Sequence, residues 1–150
     1  MSEVAFNKRA KFDYDLLESF EGGLVLTGAE VKSIKAGHVQ FKGAFLDIRR
    51  GELWLKNMFV SPYGPAGVQE TYVPDRDRKV LVHKRQLKRL QEKKKTEGLT
   101  LIPVSLYVKH DILKLEFAIA KGKKQFEKRE TIKRRDVDRQ LRTIMKTGRS

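Results

Sequence analysis

Three carboxylate pairs and three histidines are the residues of this chain best suited to acid–base or metal chemistry, and their spacing argues against both. Asp13/Asp15, Asp75/Asp77 and Asp136/Asp138 each lie two apart. On a helix that separation sends the two carboxylates to different faces, so each pair suits a cap, a turn or an ion pair better than a general acid and base. His38, His83 and His110 are far apart, with no His-x-x-x-His repeat and no carboxylate at ligand spacing, so no metal site is expected. AKGKK (120–124) lacks the upstream glycine and the Ser/Thr of a magnesium-dependent phosphate loop, and Ser33, Ser61 and Ser105 lack an elbow motif. Without Cys there is no thiolate nucleophile or ligand. The chain reads as a non-enzyme that uses no cofactor.

Its surplus is positive charge. Against 19 Asp and Glu stand 33 Lys and Arg, a net charge of +14. From Lys121 to Ser150 we count 12 basic and 4 acidic side chains, a net of 12 − 4 = +8, so more than half of the excess sits in the last fifth of the chain. Clustering of this size is suited to phosphates rather than to a merely solvated face.

One core fits 150 residues of which 39% are hydrophobic. No apolar run approaches the roughly 20 residues of a membrane span, and the start MSEVAFNKRA carries no signal-peptide core. The absence of Cys suits a reducing compartment, so a cytoplasmic protein without membrane partners is expected.

The elements that must position these charges are mainly strands. Leu113, Leu115, Phe117 and Ile119 alternate with polar or small residues, a period of two. Leu99–Lys109 is apolar on both faces and pairs with it as a hairpin through His110 and Asp111. Ala44–Arg50 and Glu52–Met58 form a second hairpin turning at Arg50 and Gly51. With Phe20–Gly28 and Lys79–His83 there are about six strands, spaced as in a small antiparallel barrel. Three short helices are expected: Asp13–Ser19 capped by Asp13, Ala29–Ala36 stopped by Gly37, and His83–Gly98 burying only Leu87 and Leu90. The stretch 61–79 is a proline-rich loop.

After Gly122 the chain reads as a basic helix whose stripe of Val137, Leu141, Ile144 and Met145 is too narrow for a core helix. Isolated helices of this kind are marginal in water, so residues 1–120 are expected as the folded domain and 121–150 as a tail that folds against a large anionic surface.

Several stretches taken together carry a resemblance. NKRAKFDY (7–14), FEGGLVLTGAEVKSIKAG (20–37), SPY (61–63), DRDRKVLVHKRQL (75–87), EGLTLIPVSLYVK (97–109), AKGKKQFEKRE (120–130) and TIMK (143–146) resemble, in order and over nearly the whole chain, the SmpB or SsrA-binding family of bacteria. The resemblance implies a mainly β fold, a small closed antiparallel barrel of the oligonucleotide-binding type with a basic C-terminal tail helix. It also implies that the protein binds transfer-messenger RNA, as a monomer in a 1:1 complex, and delivers it to stalled ribosomes for trans-translation, tagging the nascent chain for degradation and rescuing the ribosome.

Carried over residue by residue, it assigns RNA binding to Asn7, Lys8, Arg9, Glu21, Leu81 and His83, and to Lys121, Gly122, Lys123 and Lys124. It assigns Phe126, Glu127, Lys128, Arg129, Ile144 and Met145 to the tail that enters the rRNA decoding centre and the empty mRNA channel. From residue types alone, Glu21 reads as a surface ion pair and Leu81 as a core strand residue. Two positions depart from the family pattern: Glu127 replaces an Asp, and Phe12 replaces a His, so a contact at residue 12 is one of stacking or packing. A constitutive ribosomal or other structured-RNA-binding protein is the alternative that composition alone leaves open.

Overall fold

The computed structural model describes residues 2–62, 72–96 and 98–123. In chain order these form β1 (Ser2–Phe6), α1 (Ala10–Asp13), β2 (Tyr14–Leu24), α2 (Gly28–Lys35), β3 (Val39–Gln40), β4 (Phe45–Arg49), β5 (Glu52–Lys56), β6 (Phe59–Val60), β7 (Arg78–Leu81), α3 (Lys84–Lys94), β8 (Leu99–Lys109) and β9 (Ile112–Gly122). The fold is mainly β, with three helices and antiparallel pairing throughout.

Both expected hairpins form, and their turns explain why. Arg50 and Gly51 have φ of 53° and 73°, and His110 and Asp111 have φ of 52° and 63°. Two consecutive positive φ values match the right-handed twist of the flanking strands, as in a two-residue type I′ connection. The seven-stranded sheet runs β1-β8-β4-β5-β7-β2-β9, and β9 pairs again with β8. Six strands therefore return on themselves in the cycle β8-β4-β5-β7-β2-β9, while β1 adds to the free edge of β8. That edge of β8 serves two partners: Leu101 faces β4, and the stretch Ser105–Val108 faces β1. A register shift between Pro103 and Ser105 separates them, with Val104 as the extra residue. Pro103, which has no N–H, sits where the regular ladder is interrupted.

The helix expected over Asp13–Ser19 is not formed. Asp13 ends α1, and residues 14–24 are strand, paired along β9 from Tyr14↔Gly122 to Gly23↔Lys114. The spacing of Leu16, Leu17 and Phe20 looks helical because Leu17 is a bulge: the register slips between Leu16 and Glu18, leaving Leu17 at 58% exposure. One extra residue flips the faces of a strand. Tyr14 and Leu16 thus pack on Ala10, Ile102 and Ala120, while Phe20 joins Phe117 and Leu115 in the main core. β2 also ends at Leu24, short of the expected Gly28, because Thr27 caps α2: its side chain accepts from the Glu30 N–H and Glu30 accepts from the Thr27 N–H.

Glu30 is 1% exposed and Arg78 is fully buried. Arg78 Nε donates to Glu30 at 2.6 Å, its Nη1 to Met58 O at 2.6 Å and its Nη2 to Pro74 O at 2.9 Å, while Arg76 donates to the same carboxylate. One carboxylate thereby ties α2 to the start of β7 and to the segment before it. Burial alone pushes Glu30 upward, but the hydrogen bonds from Arg76, the Thr27 N–H and Arg78 outweigh it and hold the carboxyl at about 2.

α3 buries Leu90 completely and rests Leu87 on the core, the narrow contact expected of it. Arg89 reaches Glu18 on β2 at 2.8 Å, and Lys94 pairs with Asp47 on β4. These strands are three steps apart in the six-strand cycle, so α3 spans one end of it from side to side. Gly22 is required by a close approach: a Cβ there would meet Val80 Cγ1 at 2.7 Å.

Candidate nucleic-acid interface

β1 ends at Phe6, and Asn7 turns the chain into α1 by holding the irregular part of β8. Its N–H donates to Val104 O and its Nδ2 to Pro103 O, both at 2.8 Å. Ala10 N–H to Asn7 O and Asp13 N–H to Arg9 O then close the single turn of α1. Ala10 is buried, so Lys8 and Arg9 are turned outward. The Arg9 guanidinium lies 4.4 Å over the Phe12 ring and pairs with Asp13 at 3.3 Å. Phe12 therefore acts by stacking, under an arginine that remains 69% exposed.

β9 continues through Lys121 and Gly122, paired with Asp15 and Tyr14. Lys123 N–H donates to Asp13 O at 2.9 Å, and its Nζ to Lys11 O at 2.7 Å. Lys8, Arg9, Lys121 and Lys123, distant in sequence, are thus gathered round α1 and the first residues of β2. An open cleft of about 840 Å³ adjoins this corner, lined by Phe6, Asn7, Arg9, Gln40, Lys42 and Thr100, among others.

Glu21, Leu81 and His83 form a second group. Glu21 points outward from β2, directly opposite Glu116 of β9. Tyr107 O–H donates to Glu21, Lys109 Nζ lies 3.5 Å from it, and Ser105 Oγ donates to Glu116 at 3.2 Å. The Tyr107 hydrogen bond holds Glu21 below the usual carboxylate range despite some burial, with Lys109 and Lys114 assisting. Burial, and then the hydrogen bond to Glu21, push the Tyr107 phenol up. Leu81 is 53% exposed and pairs with Gly23, two residues along β2 from Glu21, which corrects the reading of Leu81 as a core residue. His83 is exposed at the N-cap of α3.

The two groups stand at opposite ends of β2. Tyr14 and Glu21 are seven residues apart, roughly 20 Å along a strand. One end offers cations for phosphates. The other offers carboxylates that can accept from base amines or 2′-hydroxyls, beside an apolar Leu81. Lys124, Phe126, Glu127, Lys128, Arg129, Ile144 and Met145, and with them the expected tail helix, lie outside the described residues. Tyr107 and Glu116 were not singled out from sequence. The alternation of β9 marks Glu116 as outward, but β8 is apolar on both faces and hides which way Tyr107 points. Among the described residues no group of three or more His, Asp or Glu side chains could hold a metal, and no helix is long and apolar enough to cross a membrane.

The sequence matches the SmpB protein family over residues 4–147. The chain belongs to that family. An SsrA-binding protein of Neorickettsia sennetsu is 50% identical over 137 residues, covering 91% of this chain and 92% of its relative. One from Streptococcus pneumoniae is 41% identical over 143 residues, covering 95% and 92%. Among solved structures, one described as "tmRNA-SmpB: a journey to the center of the bacterial ribosome" superposes with a TM-score of 0.69 at 42% identity, covering 83% of this chain and 87% of the other.

Proposed function

We propose that this protein binds transfer-messenger RNA and delivers it to stalled ribosomes for trans-translation; in support, its relatives are named SsrA-binding proteins, and a similar solved structure is described as tmRNA-SmpB at the center of the bacterial ribosome. The observation that carries the reading is the cationic corner, where Lys8 and Arg9 meet Lys121 and Lys123 in a family of SsrA-binding proteins. The cycle of six paired strands supports a closed barrel of the oligonucleotide-binding type, a fold whose outer face and loops serve nucleic acid. On this reading Asn7, Lys8, Arg9, Lys121, Gly122, Lys123 and Lys124 bind the RNA backbone, and Glu21, Leu81 and His83 contact sugars and bases. Phe126, Glu127, Lys128, Arg129, Ile144 and Met145 belong to a basic extension that lies at the decoding centre and along the empty mRNA channel, where a ring at Phe126 can stack on an rRNA base. The protein works in the cytoplasm as a monomer on one RNA and catalyses nothing itself.

The experiment is to purify the protein from bacterial cells and sequence the RNA that accompanies it. Transfer-messenger RNA at one copy per protein is expected. Stoichiometric recovery with vacant ribosomes, without that RNA, would replace this reading with that of a constitutive ribosomal component.

A further inference from the structure

Three glutamates of this basic chain converge on one cleft. A hollow of about 440 Å³ is lined by Glu3 of β1, Glu21 of β2, Ser105 and Tyr107 of β8, Glu116 of β9 and Gln86 of α3, among others. Glu21 and Glu116 stand directly opposite each other in the antiparallel pair β2–β9. Like charges in that position destabilise a sheet, so the placement gains the free protein nothing.

Two buried hydroxyls nonetheless hold the pair in place. Tyr107 is 6% exposed and Ser105 is 4% exposed, too deep to meet a nucleic acid themselves. Tyr107 donates to Glu21 Oε2, where Lys109 Nζ also lies, and Ser105 donates to Glu116 Oε2. Each carboxylate therefore keeps its Oε1 without a hydrogen-bond partner among the described residues. The Tyr107 bond also holds Glu21 below the usual carboxylate range, with Lys109 and Lys114 assisting, so it is an acceptor only.

Two neighbouring acceptors call for two neighbouring donors. Of the four RNA bases, guanine alone presents them, as N1–H beside the N2 amine on its Watson–Crick edge. Adenine and cytosine each set an acceptor nitrogen beside their one amine, and uracil flanks its one N–H with two carbonyls, so a carboxylate pair repels part of each. That edge is free only where the nucleotide is unpaired.

We propose that Glu21 and Glu116 together take the Watson–Crick edge of an unpaired guanine in transfer-messenger RNA, with Tyr107 as the positioning residue that orients Glu21. The inference rests on the proposed function and deepens it, since phosphate contacts at the cationic corner fix the RNA without reading its sequence. It gives Glu116, Tyr107 and Ser105 a part in base selection.

The test uses transfer-messenger RNA transcripts in which inosine replaces guanosine at random, each replacement marked by a cleavable phosphorothioate. Inosine lacks only the N2 amine. The transcripts are partitioned into bound and unbound fractions with the full-length protein, and the sites where inosine is excluded from the bound fraction are mapped. With the unmodified protein, exclusion is expected at an unpaired guanosine. That exclusion disappears with Glu116→Gln and weakens with Tyr107→Phe, which keeps the buried ring, and Glu116→Gln lowers affinity for unmodified RNA about tenfold. Exclusions that reflect folding of the RNA remain in every variant. Glu116→Gln melts no lower than the unmodified protein, because like-charge repulsion has been removed. An inosine pattern identical in the unmodified protein and Glu116→Gln, or a change confined to paired guanosines, would overturn the inference while leaving transfer-messenger RNA binding intact. A Tyr107→Phe protein with a lower melting temperature and an unchanged pattern would reduce Tyr107 to a structural role and overturn its assignment. If the unmodified protein does not bind the RNA, the proposed function fails and the inference with it.

Discussion

The amide of Asn7 is engaged with Pro103 O, so its contribution to RNA binding is inseparable from its hold on the β8 bulge. Asn7→Ala leaves a buried-strand carbonyl without its partner and is expected to cost about 1 to 3 kcal/mol of stability, read as a lower urea midpoint, together with weaker RNA binding. Lys8→Ala makes the useful contrast: an exposed cation with no such bond, its loss should weaken binding to transfer-messenger RNA and flatten the salt slope by about one contact, with the midpoint unchanged. Glu30 predicts a pH dependence of stability. Its folded value of about 2 lies below its ordinary 4.5, so its contribution is complete above 4.5 and is lost as pH falls toward 2. The shift corresponds to about 3 kcal/mol, and Glu30→Gln should therefore lose stability at neutral pH yet show a flatter decline between pH 5 and pH 2 in thermal melts. A parallel decline in both proteins would show that the buried cluster is not its source. Glu30 itself gave little sign in the sequence beyond its place three residues after Thr27, since its partners Arg76 and Arg78 lie 46 and 48 residues away.

At the scale of elements, what was legible was what neighbouring residues decide. The two hairpins, the helix before Gly37 and the thin apolar edge of α3 all follow from turn chemistry and local periodicity. β2 was illegible because its bulge at Leu17 imitates a helical stripe, and β1 because five residues hardly express a period. Two substitutions test the packing that replaces those signals. Gly22→Ala pushes a methyl into Val80 where β2, β7 and β9 converge, and should destabilise by about 1 to 3 kcal/mol. Leu90→Ala removes the fully buried anchor of α3 and should cost about 2 to 5 kcal/mol, accompanied by faster hydrogen exchange along that helix. Wild-type midpoints in either variant would show that these contacts do not hold the elements together.

For the whole molecule, the structured body extends farther than the expected boundary after residue 120, because β9 pairs through Gly122 and the Lys123 N–H closes on Asp13 O. A chain ended after Lys123 should keep binding transfer-messenger RNA and lose tagging on stalled ribosomes. Simultaneous loss of both activities would mean that the remaining 27 residues, 124–150, hold the RNA site itself. If about six cations contact phosphates in the full protein, log K should fall with log salt at a slope near −4 for single-stranded RNA and more steeply for duplex, and a flat response would reject an electrostatic interface.

From the sequence by itself came the polyanion partner, the strand-rich class, the hairpin turns and the stretches that mark the family, all properties of composition or of residues a few positions apart. Tertiary structure alone decided which faces those strands present, because a single extra residue at Leu17 or Val104 reverses them without altering the local pattern. It also decided that Lys8 and Arg9 share a corner with Lys121 and Lys123, and that Arg78 lies buried on Glu30. Contacts across such separations depend on where a closing cycle of strands brings the chain back to itself, and no neighbouring residue carries that information.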